Sequence, residues 1–276
     1  MAASRAVSVG LVAPRVALPV QFGEDRRRVG SEGGTTMPQA SDLDTRADRA
    51  PGARARAGTE FARFLVNRLL IKRYAGPILF RRPHSVLAPE HLYAYLDALW
   101  TRRELDGAIV EVGAYLGGTA AIAYKLLENT GFRKRYLCVD TFEGFVSAQF
   151  NPDAAAGMVE ATSRWDFSAN SLGTVKRLLR YWGCEEIELV QADIASLPDE
   201  SLPDTICVSL LDVDLSVPTY EGLRRIVPRL ANGGIVLVDD CVEHGSWAGA
   251  LDGYRRFVRE HDLPERYVMR MGVVER

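Results

Sequence analysis

The sequence predicts an α/β fold in which a doubly wound, mostly parallel sheet carries helices on both faces. Apolar runs with the length of buried strands alternate with stretches that repeat apolar residues at helical spacing. Two of these runs, Ile206–Asp214 and Gly233–Cys241, contain a pair of acidic residues at or near their ends. Because repeated strand–helix units form parallel sheets, the carboxyl ends of these strands should meet at the edge where open sheets bind ligands.

The elements of this sheet can be assigned in order along the chain. The predicted strands are Ala108–Val112, Tyr136–Asp140, Ile187–Val190, Ile206–Leu211 and Ile235–Asp239, and the predicted helices cover residues 117–129, 169–182, 216–230 and 246–260. The connection between residues 144 and 167 is long for a strand–helix link, which is typical of a lid over a binding site. After the last helix, one strand fits comfortably, and two fit only if both are short.

Two segments precede the α/β domain, which is expected to span residues 106–276. Residues 1–58 are rich in Gly, Ala, Arg, Ser and Pro without sustained periodicity, which is typical of a disordered tail. Residues 59–105 are predicted to form a helical cover, in which Pro89 suits a first helical turn. The apolar face of the Phe61–Phe80 helix is compatible with a homo-oligomer.

The composition limits the kind of partner and compartment. With 47% hydrophobic residues in 276, the chain can bury one large core. A net charge of −2 argues against non-specific binding of nucleic acid, and no apolar run approaches the roughly 18 residues that a membrane span requires. The four cysteines lack metal-ligand spacing, which predicts buried thiols in a reducing cytoplasm.

A glycine turn follows the first strand and indicates a ligand site. Gly113 and Gly117–Gly118 are spaced as GxxxGG, unlike the GxGxxG of dinucleotide sites, and would let the backbone approach a ligand closely. Glu111 in the strand would repel a pyrophosphate but suits an ammonium group, which S-adenosylmethionine carries. Asp140 ends the second strand, where it can accept hydrogen bonds from ribose hydroxyls, and Asp193 follows the third strand, where it could reach an adenine amino group.

The acid pairs of the next two strands need a compensating charge. Asp212, Asp214, Asp239 and Asp240 would converge at one edge of the sheet, and a hard divalent cation is the natural counter-ion for carboxylate oxygens. Asp214 is expected on the opposite side of its strand or just past the end, where it would support the site rather than bind the ion.

These motifs resemble the class I S-adenosylmethionine-dependent methyltransferases, and within them the macrocin-type O-methyltransferases that act on sugars of natural products. The similar stretches are VEVGAYLGGTA, DTFEGF, LLDVDLSVPTYEGLRRIVPRLANGGIVLVDDC and SWAGALDGYRRF, within residues 86–276. The resemblance implies a Rossmann-like fold. It also implies a cofactor site formed by Glu111, Gly113, Tyr115, Gly117, Thr119, Asp140, Asp193 and Asp212.

The resemblance further implies a magnesium ion held by Asp212, Asp239 and Asp240. Coordination to magnesium would stabilise the alkoxide of an acceptor hydroxyl, and Asp212 is expected to accept its proton. His244 is a candidate auxiliary base or substrate contact, and Trp247 could stack on a sugar face. Ser216 stands where the family often carries an aromatic residue, so acceptor recognition is expected to differ.

The predicted function is therefore an S-adenosylmethionine- and Mg²⁺-dependent O-methyltransferase acting on a glycosylated small molecule. Three alternatives stay open at this point. A metal-dependent glycosyltransferase could use Asp212-Val-Asp214 but leaves the glycine turn unexplained. A nicotinamide oxidoreductase would use the turn and Asp140 but leave the other acids idle. A non-catalytic S-adenosylmethionine-binding protein would bind the cofactor without transferring its methyl group.

Overall fold

The computed structural model describes residues 82–243 and 245–276, and its elements are as follows. The strands are β1 (Ala108–Val112), β2 (Tyr136–Asp140), β3 (Glu188–Gln191), β4 (Ile206–Leu211), β5 (Leu230–Val238), β6 (Tyr267–Val268) and β7 (Met271–Glu275). The helices are α1 (Pro89–Thr101), α2 (Gly118–Asn129), α3 (Ser147–Ala155), α4 (Leu172–Tyr181), α5 (Ser216–Ile226) and α6 (Ala248–Glu260). The predicted tail, the Phe61–Phe80 helix and His244 lie outside the described residues.

One sheet with the order β3-β2-β1-β4-β5-β7-β6 organises the described residues. The first five strands in this order are parallel, β7 is antiparallel to β5, and β6 is antiparallel to β7. The strand order reverses between β1 and β4, where the connections leave in opposite directions and open a crevice at the carboxyl ends. The predicted Rossmann-like, mostly parallel sheet is confirmed.

The sheet is buried on both faces. Alternate residues of β1 enter different cores: Ile109 packs with α1, α2 and α4, whereas Val110 packs with α5 and α6. All five residues of β1 and all six of β4 are buried, as expected for central parallel strands. Helix α1 contributes Tyr95 and Leu99 to the first core, so the segment predicted as a cover packs directly on the sheet.

The predicted boundaries of β1, β2 and β4 match the structure, and β5 is longer than predicted. The run Leu230–Gly234 contains Asn and Gly, which disfavour strands, yet the structure carries β5 through it with a shift in its register against β4. Helix α5 gives way to a short 3₁₀ helix at Val227–Arg229, because Pro228 has no backbone N–H for a further α-helical bond.

The end of the chain forms two strands, and both are short, as the available length required. The four cysteines are buried with free thiols, which confirms that part of the prediction. Within the described ranges, no helix combines the length and the apolar character that crossing a membrane would take.

Candidate active site

A cleft lies at the carboxyl ends of β1 to β5, where open α/β sheets bind their ligands. It has two halves. The β1–β3 half comprises Gly113, Tyr115, Asp140 and Asp193, and the β4–β5 half comprises Asp212, Asp214, Asp239 and Asp240. The structure therefore brings most of the predicted site residues together in one cleft, although β1 and β4 are far apart in the chain.

Three of the predicted cofactor residues, Glu111, Gly117 and Thr119, do not line this cleft. Glu111 is 1% exposed and accepts a hydrogen bond of 2.5 Å from the hydroxyl of Tyr136. Burial raises the pKa of Glu111 to about 8, against the opposing hydrogen bond from Tyr136. The hydroxyl groups of Thr119 and Ser85 are hydrogen-bonded to each other at 2.8 Å. Glu111 and Thr119 thus have structural partners inside the fold.

The glycines of the turn make room for neighbouring parts of the chain. At Gly113, with φ of 87°, a Cβ would lie 1.6 Å from the carbonyl oxygen of Asp212. At Gly118 it would lie 1.8 Å from the carbonyl oxygen of His84. Contacts within the protein therefore already exclude a side chain at Gly113 and Gly118. Close approach to a ligand, which the sequence predicts as the role of these glycines, explains them only in part.

Asp140 joins two loops of the cleft. One carboxylate oxygen accepts a hydrogen bond from the backbone N–H of Tyr115 at 2.8 Å, and the other accepts one from the N–H of Phe142 at 2.6 Å. Burial raises the pKa of Asp140, and these backbone donors oppose that rise. The side chain that was predicted to hold a ribose therefore also fixes the loops that follow β1 and β2.

Asp193 is held in a similar way at the other end of the β1–β3 half. It accepts hydrogen bonds from the side-chain amide of Gln149 at 2.7 Å and from the backbone N–H of Ala195 at 3.0 Å. Gln149 belongs to α3, inside the segment predicted to be a lid. The segment therefore reaches across the cleft to the residue expected to contact adenine.

Residues 144–167 form a wall of the cleft that is anchored to the rest of the fold. Asp153 is 1% exposed and accepts hydrogen bonds from both the backbone N–H and the hydroxyl of Ser216, at 2.7 and 2.6 Å. Phe150 is buried against Val159 and Leu215. Ser216, expected to affect acceptor recognition, instead ties the first turn of α5 to α3.

Aromatic side chains line one side of the cleft. Tyr115 contacts Phe167 edge-on with ring centroids 5.3 Å apart, and Phe145 lies 5.7 Å from Phe167. Trp247 packs against Phe145 and Phe167 at 5.4 and 5.9 Å. We refer to Tyr115, Phe145, Phe167 and Trp247 as the aromatic wall. Trp247, for which stacking on a sugar face is predicted, lines the cleft and packs on the neighbouring rings.

Carboxylates crowd together in the β4–β5 half. Asp212, Asp214 and Asp240 can each direct one oxygen to a common point, with these atoms within 4.8 Å of one another. Burial and the neighbouring aspartates raise the pKa values of Asp212 and Asp214, and the same causes raise that of Asp240 to about 6. Asp214 lies just past the end of β4 and lines the cleft, so it stands among the other acids rather than behind them.

His91 is a residue of this site that sequence reasoning missed. It lies on α1, 3% exposed, with its Nδ1 atom 2.5 Å from Oδ1 of Asp239. That contact raises the pKa of His91, against the opposing effect of burial. The sequence offered one signal, a histidine among the mostly apolar residues on the buried face of an amphipathic helix. Helical periodicity places such a residue on the buried face but does not identify the residue that it contacts.

The donor set of the β4–β5 half fits a hard divalent cation. Its side chains supply carboxylate oxygens, which Mg²⁺ prefers. The pKa values of Asp212 and Asp214 are raised by burial and by repulsion from neighbouring aspartates, and a bound cation would offset both effects. The β1–β3 half fits a ligand that carries hydroxyl and amino donors, because Asp140 and Asp193 present carboxylates to the cleft.

Comparison with known proteins adds an independent result. A family model described as macrocin-O-methyltransferase (TylF) matches residues 90–272, more than half of the chain. A demethyldecarbamoylnovobiocin O-methyltransferase from Streptomyces niveus is 28% identical over 159 residues, covering 55% of this chain and 59% of that protein. An 8-demethyl-8-(2,3-dimethoxy-alpha-L-rhamnosyl)-tetracenomycin-C 4'-O-methyltransferase from Streptomyces olivaceus is 28% identical over 171 residues, covering 59% and 60%. The chain thus matches about three fifths of the length of these curated relatives.

Solved structures share the fold. The O-methyltransferase NovP superposes with a TM-score of 0.57 at 18% identity, covering 77% of this chain and 98% of that one. The calicheamicin methyltransferase CalS11 superposes with a TM-score of 0.53 at 19% identity, covering 87% and 99%. At these identities the likeness concerns the architecture of the sheet and its helices.

Proposed function

Because the chain belongs to the macrocin-O-methyltransferase (TylF) family, we propose that it is an S-adenosylmethionine- and Mg²⁺-dependent O-methyltransferase. Its acceptor is a hydroxyl of a small, glycosylated molecule. The observation that carries the proposal is a single cleft in which a half suited to a nucleoside adjoins a half crowded with carboxylates. The name of the relative from Streptomyces olivaceus specifies a rhamnosyl group on its substrate, which supports a sugar hydroxyl.

The β1–β3 half would bind the cofactor. Asp140 lines the cleft, and its Oδ2 atom, which accepts a hydrogen bond from the backbone N–H of Tyr115, can also accept one from a ribose hydroxyl. Asp193 can accept from the adenine amino group in the same way, with Gln149 already beside it. Gly113 and Tyr115 form the adjoining wall. The buried Glu111 would act on the ammonium group only indirectly, from beneath this wall.

The β4–β5 half would bind the cation and activate the acceptor. Asp212, Asp239 and Asp240 would hold Mg²⁺, which when bound supplies charge that stabilises an alkoxide and orients it. We assign to Asp212 the removal of the proton from the acceptor hydroxyl. Asp214, buried beside it and hydrogen-bonded to Asp240, limits how these carboxylates can turn. His244, outside the described residues, remains a candidate auxiliary base.

The aromatic wall would hold the acceptor. Aromatic rings present apolar faces on which the C–H face of a sugar or a planar group can lie, and the wall borders the same cleft as the carboxylates. Holding the acceptor oxygen in line with the methyl group and its leaving sulfur is the main contribution that a protein can make here, worth up to about 10 kcal/mol.

Family membership separates this proposal from the alternatives. Neither a glycosyltransferase nor a nicotinamide oxidoreductase accounts for the match over residues 90–272. A non-catalytic S-adenosylmethionine-binding protein would share the cleft and differ only in methyl transfer.

Calorimetry with S-adenosylhomocysteine, the demethylated product, tests the proposal directly. We expect binding in buffer without metal and tighter binding or a separate cation-binding event with Mg²⁺. Labelled methyl transfer from S-adenosylmethionine into extracts of glycosylated metabolites would then identify the acceptor. A protein that binds neither the product nor the cation would contradict the proposal, and binding without transfer to any acceptor would favour the non-catalytic alternative.

A further inference from the structure

We propose that His91 is a positioning residue for the cation site. Its Nδ1–H group donates to Oδ1 of Asp239 and thereby holds that carboxylate in the orientation in which it meets the cation. The inference rests on the proposed function, because it concerns the same ion, and it adds a helix outside the predicted motifs to the machinery of the site.

The contact joins two buried groups that have no competing partner. Nδ1 of His91 and Oδ1 of Asp239 are 2.5 Å apart, at side chains that are 4% and 7% exposed. The angles at this contact do not meet the criteria for a hydrogen bond, and neither atom has a hydrogen-bond partner among the described residues. Because an unpaired buried donor and acceptor cost free energy, a small rotation that lets Nδ1–H donate to Oδ1 is favoured.

The position of His91 behind Asp239 defines its role. Asp239 lines the cleft and His91 does not. The imidazole therefore approaches the carboxylate from the protein side, and the substrate and the cofactor approach from the cleft. A residue in this place acts through Asp239 rather than on the reacting atoms. Carboxylates that bind metals are commonly held in place by hydrogen bonds from neighbouring side chains, and removal of such a donor typically lowers metal affinity.

Helix α1 holds the imidazole in place from both sides. His91 begins the buried stripe of α1, which continues through Ala94, Tyr95, Ala98 and Leu99. On the outer side of the same turn, Glu90 pairs with Arg270 at 2.5 Å, next to β7. The first turn of α1 is thus fixed against the sheet, and with it the donor that meets Asp239.

Direct coordination by His91 is the competing arrangement. His91, Asp239 and Asp240 each have one potential ligand atom within 4.8 Å of the others. An imidazole ligand would favour transition metals over Mg²⁺, because imidazole suits ions such as zinc and iron. The location of His91 outside the cleft wall favours the positioning role, and the experiment below separates the two.

Three variants test the proposal. His91→Leu removes the donor and keeps an apolar side chain on the buried stripe. His91→Asn restores a donor, because the amide nitrogen of asparagine lies close to the place of Nδ1. Ala98→Gly is the matched control, since it loosens α1 at a buried position far from Asp239.

Binding of Mg²⁺ and Mn²⁺ is measured by calorimetry, together with binding of S-adenosylhomocysteine without metal and the thermal midpoint. We expect His91→Leu to weaken Mg²⁺ binding by about tenfold to a hundredfold, His91→Asn to recover most of that loss, and product binding without metal to stay unchanged. Ala98→Gly should lower the thermal midpoint and bind Mg²⁺ like the wild type.

Four outcomes would overturn the inference. Mg²⁺ binding by His91→Leu that equals the wild type would remove any role for His91, and an equal loss in Ala98→Gly would make that role purely structural. A wild-type preference for Mn²⁺ over Mg²⁺ that vanishes in both His91 variants would show direct coordination. A wild type that binds the product but no cation would refute the role of His91 while leaving the cofactor half standing, whereas failure to bind either would refute the proposed function itself.

Discussion

In the β1–β3 half of the cleft, Asp140 accepts three hydrogen bonds from protein donors and Asp193 accepts two. In the β4–β5 half, Asp212, Asp214 and Asp240 face one another, and burial and repulsion from neighbouring aspartates raise their pKa values. Both halves place carboxylates at the ends of parallel strands. They differ in that Asp140 and Asp193 accept hydrogen bonds from protein donors, whereas Asp212, Asp214 and Asp240 lie against other carboxylates.

The difference teaches what each half requires from a ligand. Backbone and amide donors keep the β1–β3 half in shape before anything binds, so it can receive a nucleoside by adding hydrogen bonds to those already present. The β4–β5 half is strained by its own charge, and two of its aspartates, Asp214 and Asp240, have positive φ angles of 64° and 54°. We propose that a cation completes this half.

The largest expected effect comes from removing one charge of the β4–β5 half. Asp240→Asn should lower methyl transfer by at least about a hundredfold, because a ligand of the proposed cation is lost, while product affinity without metal stays within about twofold. Labelled methyl transfer and calorimetry measure the two quantities, and Asp252→Asn, at an exposed position on α6, is the control. Unchanged turnover would remove the cation from the mechanism and break the contrast between the halves.

A smaller effect is expected from the β1–β3 half. In Asp140→Asn, an amide group faces one of the two backbone N–H donors of Tyr115 and Phe142, and an unpaired buried donor costs about 1–3 kcal/mol. We expect the free energy of unfolding, measured with denaturant, to fall by this amount, and the binding of S-adenosylhomocysteine to weaken by about tenfold. Asp106→Asn, on the surface before β1, should change neither. A variant with full stability but weaker binding would mean that Asp140 serves the ligand and not the loops.

The smallest expected effect concerns Glu111, which lies beneath the β1–β3 half. Its pKa is raised by burial from 4.5 to about 8, so the folded protein binds its proton more tightly than the unfolded chain does. Glu111 therefore stabilises the fold at low pH, and this contribution is lost as pH rises from about 4.5 to about 8. Glu111→Gln should flatten that dependence of stability on pH.

Unfolding by denaturant at pH 5, 7 and 9 measures the effect of Glu111→Gln, with the exposed Glu185→Gln as the control. An unchanged pH dependence would show that Glu111 is ionised in the folded protein at neutral pH. It would then be an anion that could act on a ligand in the cleft above it. The β1–β3 half would carry more negative charge than it does with Glu111 protonated.

Local patterns in the sequence were sufficient for much of the fold. The mostly apolar runs of β1, β2 and β4 predicted strand boundaries that match the structure, because a strand buried on both faces is apolar at most positions. The same patterns placed the start of β5 too late, because pairing with β4 extends this strand through Asn232 and Gly233. For β6 and β7, the sequence predicted only that two strands after α6 would both have to be short, because few residues follow that helix.

What the sequence by itself determined about this protein is the alternation of strands and helices and the acids that end the strands, since both follow from local periodicity and from parallel connection. Only the tertiary structure decided the partners of each side chain. Asp140 meets two loops, Gln149 reaches Asp193, and His91 meets Asp239 across 148 positions of the chain. Such contacts depend on how helices dock on the sheet, and docking is determined by the packing of whole surfaces, which no local pattern encodes.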